Sequence, residues 1–302
     1  MRVANVVVCC LSLFGLLSIR SADAQTAERS AAVELPIRVA GGWKVVETPN
    51  FICRSQLSDV EARQLAECCE VWRGRLRRTW ITGAGDSSWF PKCEVCVHPN
   101  RTAYNQTLNR PGDNSVGSTM MNFDQGRTVL RRIDVRADAS DWSNSALPHE
   151  LTHVVLGERF GGHALPRWAD EGIAMLSESV EKHRERLTSL QQILAGRPVL
   201  TIPELMTTTR MPAPQLRDAF YGQSLALASL LIRRSTPARF ADFVEDTNAI
   251  GLEPSLRKHY KIDGLAALQR DWNDWTRRPD SMSFVSLPIQ MGAVLSLADS
   301  AP

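Results

Sequence analysis

The stretch His149-Glu150-Leu151-Thr152-His153 constrains this chain more than any other. Pro148 precedes it and Val154-Val155-Leu156 follows, so it reads as a helix running through apolar surroundings. On an α-helix, residues i and i+4 share a face one turn apart. His149 and His153 can therefore aim both imidazoles at one cation. Glu150 projects beside them, within reach of a water's proton. Two histidines and a glutamate in this order are the layout a zinc hydrolase needs. Two histidines at that spacing also occur as ordinary surface residues, so the reading requires a further ligand.

A catalytic zinc takes three protein ligands and keeps one position open. The strongest candidate for the third is Glu171, in Trp168-Ala169-Asp170-Glu171-Gly172-Ile173-Ala174. Gly161-Gly162 and Pro166 mark a chain reversal between the two segments, which would set two helices side by side. The rivals are Asp170, Glu158 and Glu178. Glu158 lies near the end of the first helix, and Asp170 faces about a third of a turn away from Glu171.

The chain has 302 residues, 43% hydrophobic and 23% charged, with a formal charge of +2. That is an ordinary composition for a soluble globular protein and offers no basic surface for a nucleic-acid partner. Residues 1–24 read as a cleavable signal: Arg2, an apolar run from Val6 to Ile19, then Ala22-Asp23-Ala24, with the mature chain starting at Gln25. The run is short of a bilayer span, so the expectation is a secreted or periplasmic protein with no stable membrane span after signal removal. Cys9 and Cys10 leave with the leader. The five that remain are Cys53, Cys68, Cys69, Cys93 and Cys96. In an exported chain this clustering predicts one or two disulfides, of open pairing, with an odd thiol left over. Cys93 and Cys96 sit in a strand-like run that sends their sulfurs to opposite faces, which argues against a joint redox or metal role.

The predicted organisation is α+β. After a flexible lead-in over 25–40 comes a small mixed α/β lobe, 41–137, then a helical lobe, 138–279, and a tail, 280–302. Strands are expected at 43–53 and 92–98, and a hairpin from 118–123 and 128–135. Helices are expected at 58–80, 101–108, around the histidines with Asn144 or Ser145 as cap, and at 166–180, 184–194, 218–233, 237–248 and 264–277. The histidine helix falls at the seam of the two lobes, where clefts commonly bind substrates.

These residues resemble the gluzincin metallopeptidases, the thermolysin-like group whose third zinc ligand is a glutamate. The nearer likeness is to the aminopeptidase-related branch. Its Glu-Gly-x-Ala-x-x-x-Glu pattern is met by Glu171, Gly172, Ala174 and Glu178. Secreted bacterial members of the superfamily look similar, and the match covers about residues 145–232. The resemblance implies one zinc ion held by His149, His153 and Glu171. It implies Glu150 as general base and Glu178, two turns beyond Glu171, standing behind the ligands. Tyr221, in Tyr221-Gly222-Gln223-Ser224, would donate to the oxyanion. That branch also carries Gly-x-Met-Glu-Asn, whose glutamate grips a free amine; here Gly117-Ser118-Thr119-Met120-Met121-Asn122 has Met121 instead. Thermolysin's aspartate four residues after the third ligand is here Met175. The implied activity is thus a zinc-dependent metallopeptidase, an endopeptidase on peptide or protein substrates. The alternatives are a zinc amidohydrolase on cell-wall peptides and a catalytically silent binding module of the same fold.

Overall fold

The computed structural model describes residues 34–81, 83, 85, 87–163 and 165–278. The expected leader, most of the lead-in and the tail lie outside these residues. The chain opens with a β-meander, β1 (Ile37–Ala40), β2 (Trp43–Glu47) and β3 (Phe51–Ser55). The single strand expected over 43–53 is two. Thr48-Pro49-Asn50 turns the chain, and Asn50 anchors the turn through both side-chain ends, donating to Glu70 and accepting from the Trp89 amide. Residues 37–40, expected within the lead-in, belong to the sheet.

Helix α1 (Asp59–Trp80) starts at Ser58, whose hydroxyl and Glu61 form a reciprocal capping box. It leads to β4 (Cys93–His98), parallel to β3, and then to α2 (Arg101–Leu108). A hairpin, β5 (Gly117–Asp124) and β6 (Arg127–Arg136), completes a six-stranded sheet in the order β1-β2-β3-β4-β6-β5. β6 lies parallel to β4, which leaves β5 as an antiparallel edge. The sheet is mixed and the rest helical, so the α+β class expected from the sequence is the class found.

Helices α3 (Leu147–Phe160), α4 (Arg167–Met175), α5 (Val180–Leu194), α6 (Ile202–Thr207), α7 (Arg217–Arg233), α8 (Pro237–Ile250), α9 (Leu252–Tyr260) and α10 (Gly264–Thr276) follow. α6 and α9 were not expected. The helix expected over 166–180 stops at Met175, and a turn separates it from α5. α3 packs on the sheet, on α1 and on α4, and one hydrophobic core runs from Val46 and Phe51 through Leu151 and Val155 to Phe243. The sheet and the helices therefore share an interior, and the described residues from Leu35 onward form one compact unit. Among the described residues, no helix is long and apolar enough to cross a membrane.

All five cysteines are buried and free, so the expected disulfides are not formed. Cys53 and Cys93 lie on the sheet face that α1 covers, next to Cys69, while Cys96 lies on the opposite face beside Asp134. All but Cys96 come from three elements that cross one core layer. Burial pushes the Cys68 thiol up to about 11 and the Cys96 thiol up to about 12.

Candidate metal centre

α3 is apolar and buried almost all round. Its half-buried line toward the cleft is His149, His153 and Gly157, the i, i+4, i+8 stripe, while Glu158 and Arg159 are half-buried on another side. Leu147, Leu151, Val154 and Val155 bury the other faces, so the core that holds the helix also aims both histidines into one cleft. The helix does not start on a side-chain cap from Asn144 or Ser145. A π-turn over Trp142–Ala146 feeds straight into it, with Asp141 in the left-handed region at φ 60°. The Asp141 carboxylate accepts from the hydroxyls of Ser145 and Ser179, both at 2.5 Å.

α4 brings in the carboxylates. It approaches α7 so closely that a Cβ on Gly172 would stand 2.7 Å from the Ser224 carbonyl oxygen. Only glycine allows that approach, and it follows Glu171 directly. The turn after α4 is stitched to α3 and to the π-turn before it by three consecutive side chains. Ser177 shares a hydrogen bond with Thr152 (2.7 Å), Glu178 Oε1 bonds His149 Nδ1 (2.9 Å), and the Ser179 hydroxyl bonds that of Ser145 (3.0 Å). Glu178 thus reaches the histidine from a turn rather than from two turns along α4.

The two imidazoles are held in the same way. His149 has Glu178 behind its Nδ1, and His153 has Asp170 behind its own at 2.8 Å. With both Nδ1 atoms so engaged, the two Nε2 atoms face forward, 3.2 Å from each other. Glu171 Oε2 lies 3.6 Å from His149 Nε2, and one donor atom of His149, His153 and Glu171 each falls within 4.8 Å of the others. Ligand atoms on tetrahedral zinc stand about 3.3–3.4 Å apart, given bonds of about 2.0–2.1 Å. A carboxylate behind each ring is the arrangement that fixes the tautomer of a metal-binding histidine. The formal charge agrees: Glu150, Asp170, Glu171 and Glu178 set against Arg167 and Arg186 leave a surplus of two negative charges, which one divalent cation balances. The donors present fit zinc.

Electrostatics follow from this surplus. Burial pushes the His149 imidazolium down, but Glu171 and Glu178 outweigh it and hold its pKa up at about 10. Burial pushes Glu178 up, and His149 with Arg186 pull it back to about 2. Burial, then the charge of Glu171, raises the phenol of Tyr221.

Of the residues predicted for the site, His149, Glu150, His153, Glu171 and Tyr221 line one cleft. Glu150 is buried, with its Oε2 accepting from Thr119 Oγ1 at 2.7 Å. A Cβ on Gly117 would sit 2.7 Å from both Cγ and Oε1 of Glu150, so the edge strand rests directly on this side chain. Glu158 lies elsewhere, bonded to Trp89 Nε1 and Arg77. Asp170, set aside in the sequence as a ligand, backs His153. The supporting roles of Asp170, Asp141, Thr119, Ser177 and Ser179 were missed. For Asp170 the readable signal was the need of a histidine that binds a metal for a partner at its second nitrogen. Matched against known protein families and curated proteins, the chain finds no counterpart in either.

Proposed function

We propose that this chain is a zinc-dependent peptidase of gluzincin type, exported by its leader and cutting peptide or protein substrates internally. The observation that carries the reading is the pair of forward-facing Nε2 atoms, each ring backed by a carboxylate, with Glu171 closing the set. His149, His153 and Glu171 would hold a zinc ion, which would supply Lewis acidity toward a carbonyl and acidify a water.

The chain's own residues do the rest. Glu150 accepts the proton of the attacking water and passes it to the leaving amine. Thr119 holds that carboxylate in place through its hydroxyl. Tyr221, which lines the same cleft, donates to the developing oxyanion. The β5 edge suits an extended peptide. Arg136 N–H bonds Val116 O, so by antiparallel alternation Gly117, Thr119 and Met121 turn their backbone N–H and C=O away from β6 and toward the cleft. Met121 packs its sulfur against Gly157 and offers no charge to a free amine, which favours internal cleavage. An intact Glu150 and Tyr221 weigh against a silent binding module.

The test is zinc content together with hydrolysis of a mixed peptide library, with and without chelator. The expected result is one zinc per chain and chelator-sensitive cleavage. Glu150→Gln should keep zinc and lose turnover by about 10²–10⁴-fold. Cleavage that survives this substitution, or a chain that takes up no zinc, overturns the reading.

A further inference from the structure

We propose that Arg186 is the positioning residue that sets the metal-binding and oxyanion-binding halves of the cleft in one geometry; this rests on the zinc-peptidase reading above. Arg186 lies on α5, away from the His-Glu-x-x-His helix. Its guanidinium grips Glu178 with two bonds, Nε to Oε2 at 2.7 Å and Nη2 to Oε1 at 2.8 Å. The same Oε1 accepts from His149 Nδ1 at 2.9 Å. The guanidinium carbon also lies 5.6 Å from the ring centroid of Tyr221. One flat, permanently charged group thus touches the carboxylate behind a ligand on α3 and the phenol ring on α7.

Each contact has a physical consequence. A two-pronged guanidinium–carboxylate bond fixes the carboxylate plane, which a single point charge does not. Glu178, 5% exposed, has little water to replace that bond. Once its plane is fixed, the His149 ring is fixed, and with it the direction of Nε2. A cation over an aromatic face holds that ring in place as well. Arg186 touches neither the candidate metal position nor a reacting atom, so it acts through Glu178 and Tyr221.

The experiment compares zinc affinity, by chelator competition, with kcat and KM at saturating zinc in the full chain. Arg186→Met should weaken zinc binding by about 10–100-fold. It should also lower kcat about tenfold with KM little changed, because Tyr221 loses its support. Arg186→Lys restores the charge but not the fork, and should recover kcat more fully than zinc affinity. Because a lone buried Glu178 could unfold the first variant, Arg186→Met is repeated in a Glu178→Gln background. There zinc affinity should match that of Glu178→Gln alone, while kcat stays below it. A folded Arg186→Met with unchanged zinc affinity and kcat overturns the inference, as does a loss confined to thermal stability. Wild-type chain that takes up no zinc overturns the metal reading itself, and the inference with it.

Discussion

Two buried histidine–carboxylate systems lie on opposite faces of the sheet, and only one is open. On the outer face, His98 Nε2 bonds Asp134 Oδ1 at 2.8 Å, and Arg132 grips the same carboxylate with two bonds. Trp43 and Tyr104 wall in the His98 ring edge-on, and the residue is 1% exposed. Arg132 also reaches Glu94, which pairs with Arg54, so two carboxylates meet two guanidiniums and no charge is left over. On the inner face, two histidines are backed by Glu178 and Asp170, yet both keep a nitrogen turned to the cleft beside Glu171. A histidine with a carboxylate behind it is therefore not in itself a site. What distinguishes the second system is uncompensated negative charge and donor atoms that converge where a cation can enter.

The sharpest way to break this comparison is to remove one histidine from each system. His153→Ala should reduce zinc from one per chain to background and abolish turnover. His98→Ala should keep zinc and instead cost about 1–3 kcal/mol of stability, by leaving Asp134 short of a buried partner. Metal analysis and thermal denaturation of both variants read this directly, and zinc loss in both would erase the distinction. Next in size is Tyr221→Phe, which removes the proposed oxyanion donor. It should lower kcat about 100-fold, an effect near 3 kcal/mol, with zinc content unchanged.

Asp170→Asn comes third. It keeps an acceptor behind His153 but removes the charge, and zinc affinity should fall by about 10–100-fold. The smallest effect is on acid stability. Burial pushes the Asp134 carboxyl up, but the bonds from His98 and Arg132 outweigh it and hold the pKa below the ordinary 3.8. Its contribution is whole above 3.8 and is lost as the pH falls through the lower folded value. Denaturant titrations below pH 4 should show a shallower loss of stability in Asp134→Asn than in the parent chain.

The site was largely legible because its first requirement is a helical period. Two histidines one turn apart and a Glu-Gly segment past a reversal carry their geometry in their spacing. Asp170 was passed over for a sound reason misapplied. Lying about 100° round the helix from Glu171 disqualifies it as a ligand, but suits it to the back of the ring. Glu178 was placed behind the ligands by the wrong route, since spacing along one helix cannot reveal that the helix ends at Met175. In the fold, α2 lies where it was expected, and the structure shows what bounds it: Asn100 caps it and Asn109 ends it in the left-handed region. α6 was overlooked although Thr201 and Glu204 form a readable capping box. The single strand drawn over 43–53 ignored Pro49, which cannot donate to a ladder. The opposite faces of Cys93 and Cys96 were legible from the strand period, but that Cys53, Cys69 and Cys93 would pack together as free thiols was not.

The bare backbone at Gly117 has a wider consequence. With no side chain between the strand and the Glu150 carboxylate, anything drawn against the free edge of β5 presses, through that backbone, on the group that would move the proton. On the peptidase reading, grip and chemistry would share a mechanical joint here. A chain drifting toward a new cargo by shifting this strand would retime its own proton transfer in the same step.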